Sequence, residues 1–514
     1  MAEKKHEGGV SYSSPGLDYF EDRELRRYAG VFYLWALGVA AVISGDFSGW
    51  NLGFAVGGWG GMFVGAIIIT IMYLGLTYSI AEMSPALPHT GGAYSFARTA
   101  FGPWAGFITG VAENIEYVLT PAVIVYFIGA YLTAIFETPA AFQPVLWILA
   151  YIIFVGLNAR GVELSFTVTT IVTLLAIAIL VVFFISAIPF FDFGKYALNI
   201  GADPATGAAV ELPEGNGPLL PFGVYGILAS MPFAVWLFLA IEQLPLAAEE
   251  SVDPKRDMPK GIMLGMFTLI ALGFLVLIFN PAIPIERIVS DAAGVTTSVH
   301  GAFALSTSGE PILDGFRAIY GLNAAGALAL AAVVGLVASF HAIIFASGRQ
   351  IYSLSRAGYF PHFLSVTHGT HKTPNVALIA GAVIGLTVML VVWFSMGGVR
   401  AGSFIGGVLL NMAVFGAMFS YLLQGLTFIQ LRRRFPNIER PYRSPFGVVG
   451  AGLTVIIALV TIGFQLADPV YRTGVIGVAI WYALAIIYFA AYGRKALVLS
   501  PEERFAMKHR EGAA

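Results

Sequence analysis

The chain has no cysteine and little charge, and both absences narrow what it can be. Without cysteine there is no disulfide framework and no cysteine-ligated metal site. Asp, Glu, Lys and Arg make up 11% of the residues, whereas soluble domains carry about 25%. Hydrophobic residues account for 58% of the chain. This balance indicates an integral membrane protein.

Motifs that mark enzymes are also missing. The sequence has no His-Glu-x-x-His zinc motif, no phosphate-binding glycine loop and no convincing nucleophile triad. We therefore expect neither an enzyme nor a cofactor, and nothing indicates a nucleic-acid partner. The residues before the first apolar run are polar and lack the core of a signal peptide. We interpret them as a cytoplasmic tail.

Long apolar runs are what the chain does have. About 20 apolar residues can cross a bilayer core of roughly 30 Å. These runs are continuous and do not alternate with polar residues, which predicts helices instead of barrel strands. Twelve spans are predicted, at 29–57, 61–84, 104–136, 143–158, 162–189, 219–246, 261–283, 319–347, 375–397, 402–429, 447–467 and 473–493.

The distribution of basic residues predicts the orientation of these spans. With the N-terminus inside, all but five of the 28 Lys and Arg residues fall on the inner side. The exceptions are Lys195, Arg287, Arg317, Arg400 and Arg472. This asymmetry follows the positive-inside rule. We expect a multi-pass protein of the bacterial inner membrane with both termini in the cytoplasm.

Four carboxylates lie well inside predicted spans, and no Lys or Arg lies at a comparable depth. They are Asp46 in span 1, Glu113 and Glu116 in span 3, and Glu242 in span 6. Ionisable groups at this depth cost several kcal/mol and usually serve a pathway, a proton relay or a ligand. The structural alternative is that some are protonated and hydrogen-bonded to neighbouring carbonyls.

Spans 1 and 6 both contain residues that interrupt helices. Asp46 lies among Gly45, Ser48 and Gly49, and Pro232 and Pro245 bracket Glu242. The two spans open two blocks of five, which is the sequence pattern of an inverted-repeat transporter with a midplane site. Kinks also occur in packed membrane helices, but a matched pair with an acid at each favours the transporter.

Glu113 and Glu116 share one helix face, because they are three residues apart. Two close acids cannot both ionise cheaply. A pair of acids of which only one is ionised would suit a proton carrier. The alternative is a hydrogen-bonded pair that positions span 3.

Three long motifs resemble those of the amino acid–polyamine–organocation transporter superfamily. They are AEMSPALPHTGGAYSFARTAFGPWAGFITG (81–110), GRQIYSLSRAGYFPHFLSVTHGTHKTPNVAL (348–378) and LRRRFPNIERPYRSPFG (431–447). Within it, YFEDRELRRYAGVFYLWALGVAAVISGDFSGWNLGF and FAVWLFLAIEQLPLAAEE are most similar to the ethanolamine permeases. The resemblance implies an all-α five-plus-five inverted repeat, broken spans 1 and 6, peripheral spans 11 and 12, and alternating access.

The domain division follows from these spans and from the resemblance. We expect a transport core at 28–429, made of repeats at 28–189 and 219–429, and peripheral helices at 430–493. Cytoplasmic tails are expected at 1–27 and 494–514.

Departures from the family pattern predict the substrate. Amino acid carriers of the superfamily usually have a Gly-Ser-Gly-like run in span 1 that holds the substrate carboxylate, and here Gly45, Asp46 and Phe47 correspond to it. An acid repels a carboxylate by about 4 kcal/mol at 4 Å and an effective dielectric constant of 20, and attracts an ammonium equally. This favours ethanolamine over an amino acid.

Span 6 points the same way. Phe238, Ala240, Ile241 and Glu242 occupy the family's break motif, and Ala in place of the usual Gly narrows the site. Aromatic rings near the breaks can add cation–π contacts. The predicted substrate-binding residues are Gly45, Asp46, Phe47, Ser48, Gly49, Trp50, Glu116, Tyr117, Trp236, Phe238, Ala240 and Glu242.

The coupling ion is predicted from what span 5 lacks. Many proton-coupled relatives have a lysine there, but Ala176 takes that place. Proton candidates are Glu113, Glu116, Glu242 and His341, and a sodium site would use Ser339 and Ser347. We favour proton over sodium coupling, with uniport driven by the membrane potential also open.

The predicted function is therefore import of ethanolamine or a similar small amine by a monomer or weak homo-oligomer in the bilayer. A transporter for small neutral amino acids or for choline-type amines is the alternative within this fold. A transporter-like amine sensor is the alternative from another class.

Overall fold

The computed structural model of this chain describes residues 5–7, 9–15, 18–87, 89, 91–198, 201–202, 209–210, 219–290, 296–500, 503–504 and 507–508. Parts of both predicted tails lie outside the described residues. Among the described residues, eleven helices are long and apolar enough to cross a bilayer, and Val31–Phe47 is a shorter apolar helix. The prediction of an all-α protein with twelve spans is confirmed.

The spans keep their predicted order along the chain. Their helices are Val31–Phe47 (span 1), Gly53–Ala86 (span 2), Pro103–Phe136 (span 3), Gln143–Ala159 (span 4), Val162–Ala187 (span 5), Gly223–Trp236 with the 3-10 helix Ile241–Glu250 (span 6), Pro254–Phe279 (span 7), Pro311–Arg356 (span 8), Asn375–Met396 (span 9), Gly398–Phe404 with the π turn Ile405–Leu409 and Leu410–Arg434 (span 10), Gly447–Ala467 (span 11) and Arg472–Ala491 (span 12).

Short elements connect the spans. The short helices are Asp18–Glu21, Trp50–Leu52, Gly92–Phe101, Ala140–Phe142, Ile188–Phe190, Phe193–Ala197, Gly301–Ser306, His362–Ser365, Pro469–Tyr471 and Gly493–Lys495. The strands are Lys5–Glu7, Val10–Ser13, Gly201–Ala202, Ala209–Val210, Glu286–Ser290, Thr296–His300 and Leu497–Val498.

Both ends of the chain lie at the same end of the bundle. Val10–Ser13 pairs in parallel with Leu497–Val498, and Lys5–Glu7 pairs antiparallel with Val10–Ser13. We call this the tail end of the bundle and the opposite one the loop end.

The packing of the first ten spans has the symmetry of two repeats. Span 1 packs against span 7, and span 6 packs against span 2. If spans 1–5 are exchanged for spans 6–10 in order, the contact of span 1 with span 7 becomes the contact of span 6 with span 2. The contacts of span 3 with span 10 and of span 8 with span 5 are related in the same way. Spans 11 and 12 lie outside this pattern, against spans 2 and 10.

Span 1 breaks at the end of its interrupted stretch. Its helix continues through Gly45 and Asp46 and ends at Phe47. Ser48 is extended, and Gly49 has a φ of 97°, which glycine adopts without the steric cost of a Cβ. The span resumes at Trp50. The helix Gly53–Ala86 contains a kink at Gly58, where φ is 66°, so its residues before Gly58 complete span 1 and those after it form span 2. Asp46 therefore lies in the last helical turn before the break.

Span 6 breaks between its two helical halves. The first half ends at Trp236, and the second begins at Ile241. Ala240, between them, has a φ of 80° in the left-handed region. This conformation costs an L-residue about 1–2 kcal/mol. The break is therefore strained at Ala240, where the resemblance implies a glycine.

The two broken spans cross at Gly45. A methyl group at Gly45 would lie 2.5 Å from the carbonyl oxygen of Trp236 and 3.2 Å from the Cα of Leu237. Only a residue without a side chain allows this approach between two backbones. The glycine thus sets the distance between the spans.

We expect Gly45→Ala to destabilise the protein by about 1–3 kcal/mol, because backbone at the crossing must move apart to admit the methyl group. Thermal unfolding in detergent measures this change. The matched control is Gly156→Ala in span 4, where nothing lies within 4 Å of the added carbon. Equal melting temperatures for the two variants would contradict the close crossing.

Candidate functional site

The backbone groups freed by the break in span 1 are bound by other spans. The carbonyl of Phe47 accepts a hydrogen bond from Tyr131 Oη at 2.8 Å, and that of Ser48 accepts one from Trp236 Nε1 at 3.0 Å. Gly49 N donates to Asn51 Oδ1 at 3.1 Å. Broken helices are tolerated in a membrane only when such groups find partners within the protein or in a cavity.

Asp46 is the acid nearest to this break. Its side chain is buried, and neither carboxylate oxygen accepts a hydrogen bond from any described residue. Asp46 faces span 7, since a methyl group at Gly273 would lie 3.5 Å from Oδ1 and 3.6 Å from the ring of Phe238. The structure therefore places Asp46 and Phe238 beside the same glycine.

Glu242 lies in the second half of span 6 and is held by two phenols. Tyr117 Oη donates to Glu242 Oε1 at 3.1 Å, and Tyr421 Oη donates to Oε2 at 2.7 Å. Tyr73 Oη lies 3.3 Å from Tyr421 Oη, and its ring packs edge-on against Phe238 at 5.5 Å. Spans 3, 6 and 10 thus meet at this carboxylate, and span 2 reaches it through Tyr421.

Glu116 and Glu113 lie close enough to Glu242 for their charges to interact. Both oxygens of Glu116 and one oxygen of Glu113 have no hydrogen-bond partner among the described residues. Within the same residues, no Lys or Arg forms an ion pair with either acid, with Glu242 or with Asp46. The structure therefore groups three of the predicted acids without a neutralising cation.

Phe47, Trp50 and Ser48, which were also predicted to bind substrate, make their described contacts outside the acid cluster. The ring of Phe47 lies directly on Gly335 of span 8, where a Cβ would overlap it. Trp50 packs edge-on against Phe54 at 5.3 Å. Ser48 Oγ donates to the carbonyl of Gly309 at 3.3 Å, toward the loop end.

The other coupling candidates do not join the acid cluster in their described contacts. His341 Nδ1 lies 3.0 Å from Asn158 Nδ2, and its Nε2 lies 3.4 Å from Ser165 Oγ, between spans 4, 5 and 8. Ser339 faces span 1, where its hydroxyl donates to the carbonyl of Ala40 at 2.5 Å and accepts from Ser44 N at 2.8 Å. The Ser339 hydroxyl therefore joins span 8 to span 1.

Ser347 lies on a different face of span 8. A methyl group at Gly381 in span 9 would lie 2.6 Å from Ser347 Oγ. This places Ser347 against span 9 and not beside Ser339, so the structure does not bring the two sodium-site candidates together.

Four residues that shape this site were not predicted from the sequence: Tyr73, Tyr131, Tyr421 and Asn51. The chain has 22 tyrosines, and tyrosine commonly packs in membrane helices or sits at their interfaces. No sequence pattern distinguishes these three tyrosines. Asn51 lies within the interrupted stretch, which is the only signal that could have found it.

The loop end is closed over the break by Asn51 and an ion cluster. Asn51 Nδ2 donates to the carbonyls of Leu305 and Ser308 at 2.6 and 2.8 Å. Nearby, Arg317 Nη1 lies 3.0 Å from Asp314 and 3.7 Å from Glu310. Burial, with the nearby Asp314 charge, raises the pKa of Glu310 to about 7 despite the arginines.

A buried ion pair closes the tail end. Arg349 Nη2 of span 8 lies 2.8 Å from Glu250 Oε1 of span 6, and both side chains are fully buried. The carbonyl of Glu250 accepts hydrogen bonds from the backbone N–H groups of Tyr28 and Ala29 at 2.7 and 2.9 Å. Spans 1, 6 and 8 are thereby joined, and this conformation encloses the carboxylates from both ends.

Known proteins resemble the chain over nearly its full length. A family described as amino acid permease matches residues 30–492. An uncharacterized transporter of Rhizobium meliloti is 26% identical over 475 residues, covering 90% of this chain and 92% of that protein. The methylthioribose transporter of Bacillus subtilis is 22% identical over 508 residues, covering 93% and 96%. The branched-chain amino acid permease of that organism is 24% identical over 498 residues, covering 92% and 94%.

We expect a pH dependence of stability that originates at Glu310. Its pKa is raised from 4.5 to about 7, so the folded protein holds this proton longer than the unfolded chain does. Stability should fall between pH 4.5 and 7, by on the order of 3 kcal/mol, and level off above pH 7. Glu310→Gln should remove this component from melting temperatures measured across pH 5–8. The exposed Glu137→Gln is the control, and an unchanged pH profile in Glu310→Gln would refute the assignment.

Proposed function

Because the chain belongs to the amino acid permease family, and is thus a membrane transporter and not an enzyme, we propose that it imports ethanolamine or a closely related small amine. Its superfamily is that of the amino acid–polyamine–organocation transporters. The observation that carries the proposal is Asp46, a buried carboxylate without a hydrogen-bond partner among the described residues, in the last helical turn before the break in span 1.

The charge of Asp46 supports selection of the substrate by its net charge. A carboxylate that lies unpaired in a low-dielectric site attracts an ammonium and repels a second carboxylate. A difference of about 4 kcal/mol on each interaction corresponds to roughly a thousandfold in affinity. In a zwitterionic amino acid, repulsion between its carboxylate and Asp46 offsets the attraction between its ammonium and Asp46. Ethanolamine carries the ammonium alone, so only the attraction remains. Phe238 offers an aromatic surface beside the same carboxylate.

Glu242 supplies the second counter-charge in this proposal. Its two phenol donors stabilise the carboxylate form and orient it. Tyr421, Tyr117 and Glu242 connect spans 10, 3 and 6, so a substrate bound there would contact helices that must move relative to one another. Such differential contacts are what couple binding to alternating access.

Proton coupling through Glu116 is the second part of the proposal. Glu116 interacts electrostatically with Glu242 and lies near the Tyr421 hydroxyl, but neither Glu116 oxygen makes a hydrogen bond of normal geometry with a described residue. A carboxyl group without donors, close to an ionised acid, is best accommodated in its neutral form. Glu116 can then take a proton on one side of the membrane and release it on the other as the cluster rearranges.

A small neutral amino acid is the second candidate substrate. It is favoured by the relatives, since one of them is described as a branched-chain amino acid permease. In this case Asp46 would be protonated and could donate a hydrogen bond to the substrate carboxylate. Choline-type amines fit less well, because a quaternary ammonium has no N–H donor for the two carboxylates.

We expect Asp46→Asn to reduce uptake of labelled ethanolamine into proteoliposomes at least a hundredfold, with alanine a poor competitor of the unmodified protein. The variant keeps the size of the side chain and removes its charge. The control is Glu163→Gln, at an exposed acid at the start of span 5. Normal uptake by Asp46→Asn, or strong competition by alanine, would refute the amine assignment. If the unmodified protein binds ethanolamine but does not take it up into proteoliposomes, it would be a sensor instead of a transporter.

Coupling is tested with an imposed pH gradient at fixed sodium concentration and clamped membrane potential. An acidic outside should accelerate ethanolamine uptake by the unmodified protein several-fold. Glu116→Gln should still bind ethanolamine but lose the response to the gradient, because the amide cannot carry a proton. Uptake that follows a sodium gradient, or neither gradient, would exclude the proton mechanism while leaving the substrate assignment intact.

A further inference from the structure

A groove of about 750 Å³ opens on the side of the bundle near the tail end. The start of span 7 forms one wall, and Tyr78 of span 2 with Tyr442 of the loop between spans 10 and 11 forms the other. It is separate from the acid cluster, and the proposed transport mechanism does not use it.

One face of span 7 gives this groove a polar end and an apolar end. Arg256, Lys260, Leu264 and Phe267 follow one another at helical spacing, and all four are exposed and line the groove. Two cations occupy the first turns and two apolar side chains the following ones. An α-helix rises 5.4 Å per turn, so these four residues extend over about three turns. This length is similar to that of a phospholipid head group together with its first acyl carbons.

The cations at the polar end are available to a ligand. Lys255, the third, lies 2.9 Å from Glu439, but this pair is exposed at both side chains and contributes little. Among the described residues, neither Arg256 nor Lys260 forms an ion pair. The acids closest in sequence do not line the groove: Asp257 is buried, and Asp253 lies before the helix. The groove therefore presents net positive charge.

The opposite wall is held in place by a buried acid. Glu82 of span 2 accepts hydrogen bonds from Arg432 Nε at 3.0 Å and from Ser444 N at 2.7 Å. These bonds anchor the loop that carries Tyr442, and Tyr78 packs edge-on against Phe446 at 5.1 Å. The groove is thus a formed site between fixed elements.

We propose that this groove binds one anionic phospholipid. Its phosphate lies against Arg256, Lys260 and Lys255, and an acyl chain follows Leu264 and Phe267 along span 7. Basic pockets between membrane helices bind anionic lipid head groups by charge, and tyrosine rings favour the head-group level. A neutral lipid would leave the cations uncompensated, and a soluble anion would leave the apolar half of the groove uncovered.

The test compares an anionic with a zwitterionic phospholipid at a fixed protein concentration. The full-length protein in mixed micelles of non-ionic detergent and phosphatidylcholine is titrated with phosphatidylglycerol, and binding is followed by native mass spectrometry and by melting temperature. The double variant Arg256→Gln/Lys260→Gln should bind phosphatidylglycerol about thirtyfold more weakly. The control Arg433→Gln/Lys495→Gln removes two other exposed charges and should bind like the unmodified protein.

Three outcomes would overturn the proposal. Equal phosphatidylglycerol binding by both double variants would mean that the groove is not the site. Equal effects of phosphatidylglycerol and additional phosphatidylcholine would exclude recognition of charge. An equal stabilisation by glycerol phosphate or inorganic phosphate would indicate a soluble-anion site. The readouts are lipid binding and stability, so they are independent of whether ethanolamine is the substrate.

Discussion

The crossing of spans 1 and 6 is the constraint on which the rest of the structure depends. A helix that breaks in a bilayer exposes backbone groups that lipid cannot bind, so each must find a partner within the protein. Gly45 lets span 1 approach the Trp236 carbonyl, and this closeness allows the Trp236 indole to bind the Ser48 carbonyl on the other side of the break. Tyr131 of span 3 binds the remaining carbonyl. The break is therefore stabilised by three spans at once.

The acids follow from the same arrangement. Burying charge at this depth costs several kcal/mol, and the described residues offer Asp46 neither a cation nor a hydrogen-bond donor. Glu242, in contrast, accepts hydrogen bonds from two tyrosines. An unpaired acid beside a broken helix is unfavourable in an inert structural element, and in the proposed function a cationic substrate supplies the missing partner. Ion pairs at the loop and tail ends meanwhile join the elements on either side of it.

Much of the fold and part of the site can be predicted from the residues alone. The twelve spans follow from apolar run length, and Asp46 and Glu242 follow from being acids in such runs. The exact break in span 1 does not follow from the sequence, because both Gly45 and Gly49 can interrupt a helix. Gly45 stays helical where it packs against Trp236, and Gly49 takes the positive φ. The three tyrosines around the breaks could not be predicted, because their role depends on which helices lie opposite.

The amino-acid sequence by itself determined that this protein spans a membrane, that spans 1 and 6 are interrupted, and that four acids lie within apolar spans. These properties are local: they depend on the length of an apolar run and on the residues inside it. Only the tertiary structure decided that Glu116 and Glu242 are neighbours, that Ser339 and Ser347 face different spans, and that Glu242 is bound by tyrosines while Asp46 is not. Such contacts join residues far apart in the chain, and helix packing alone brings them together.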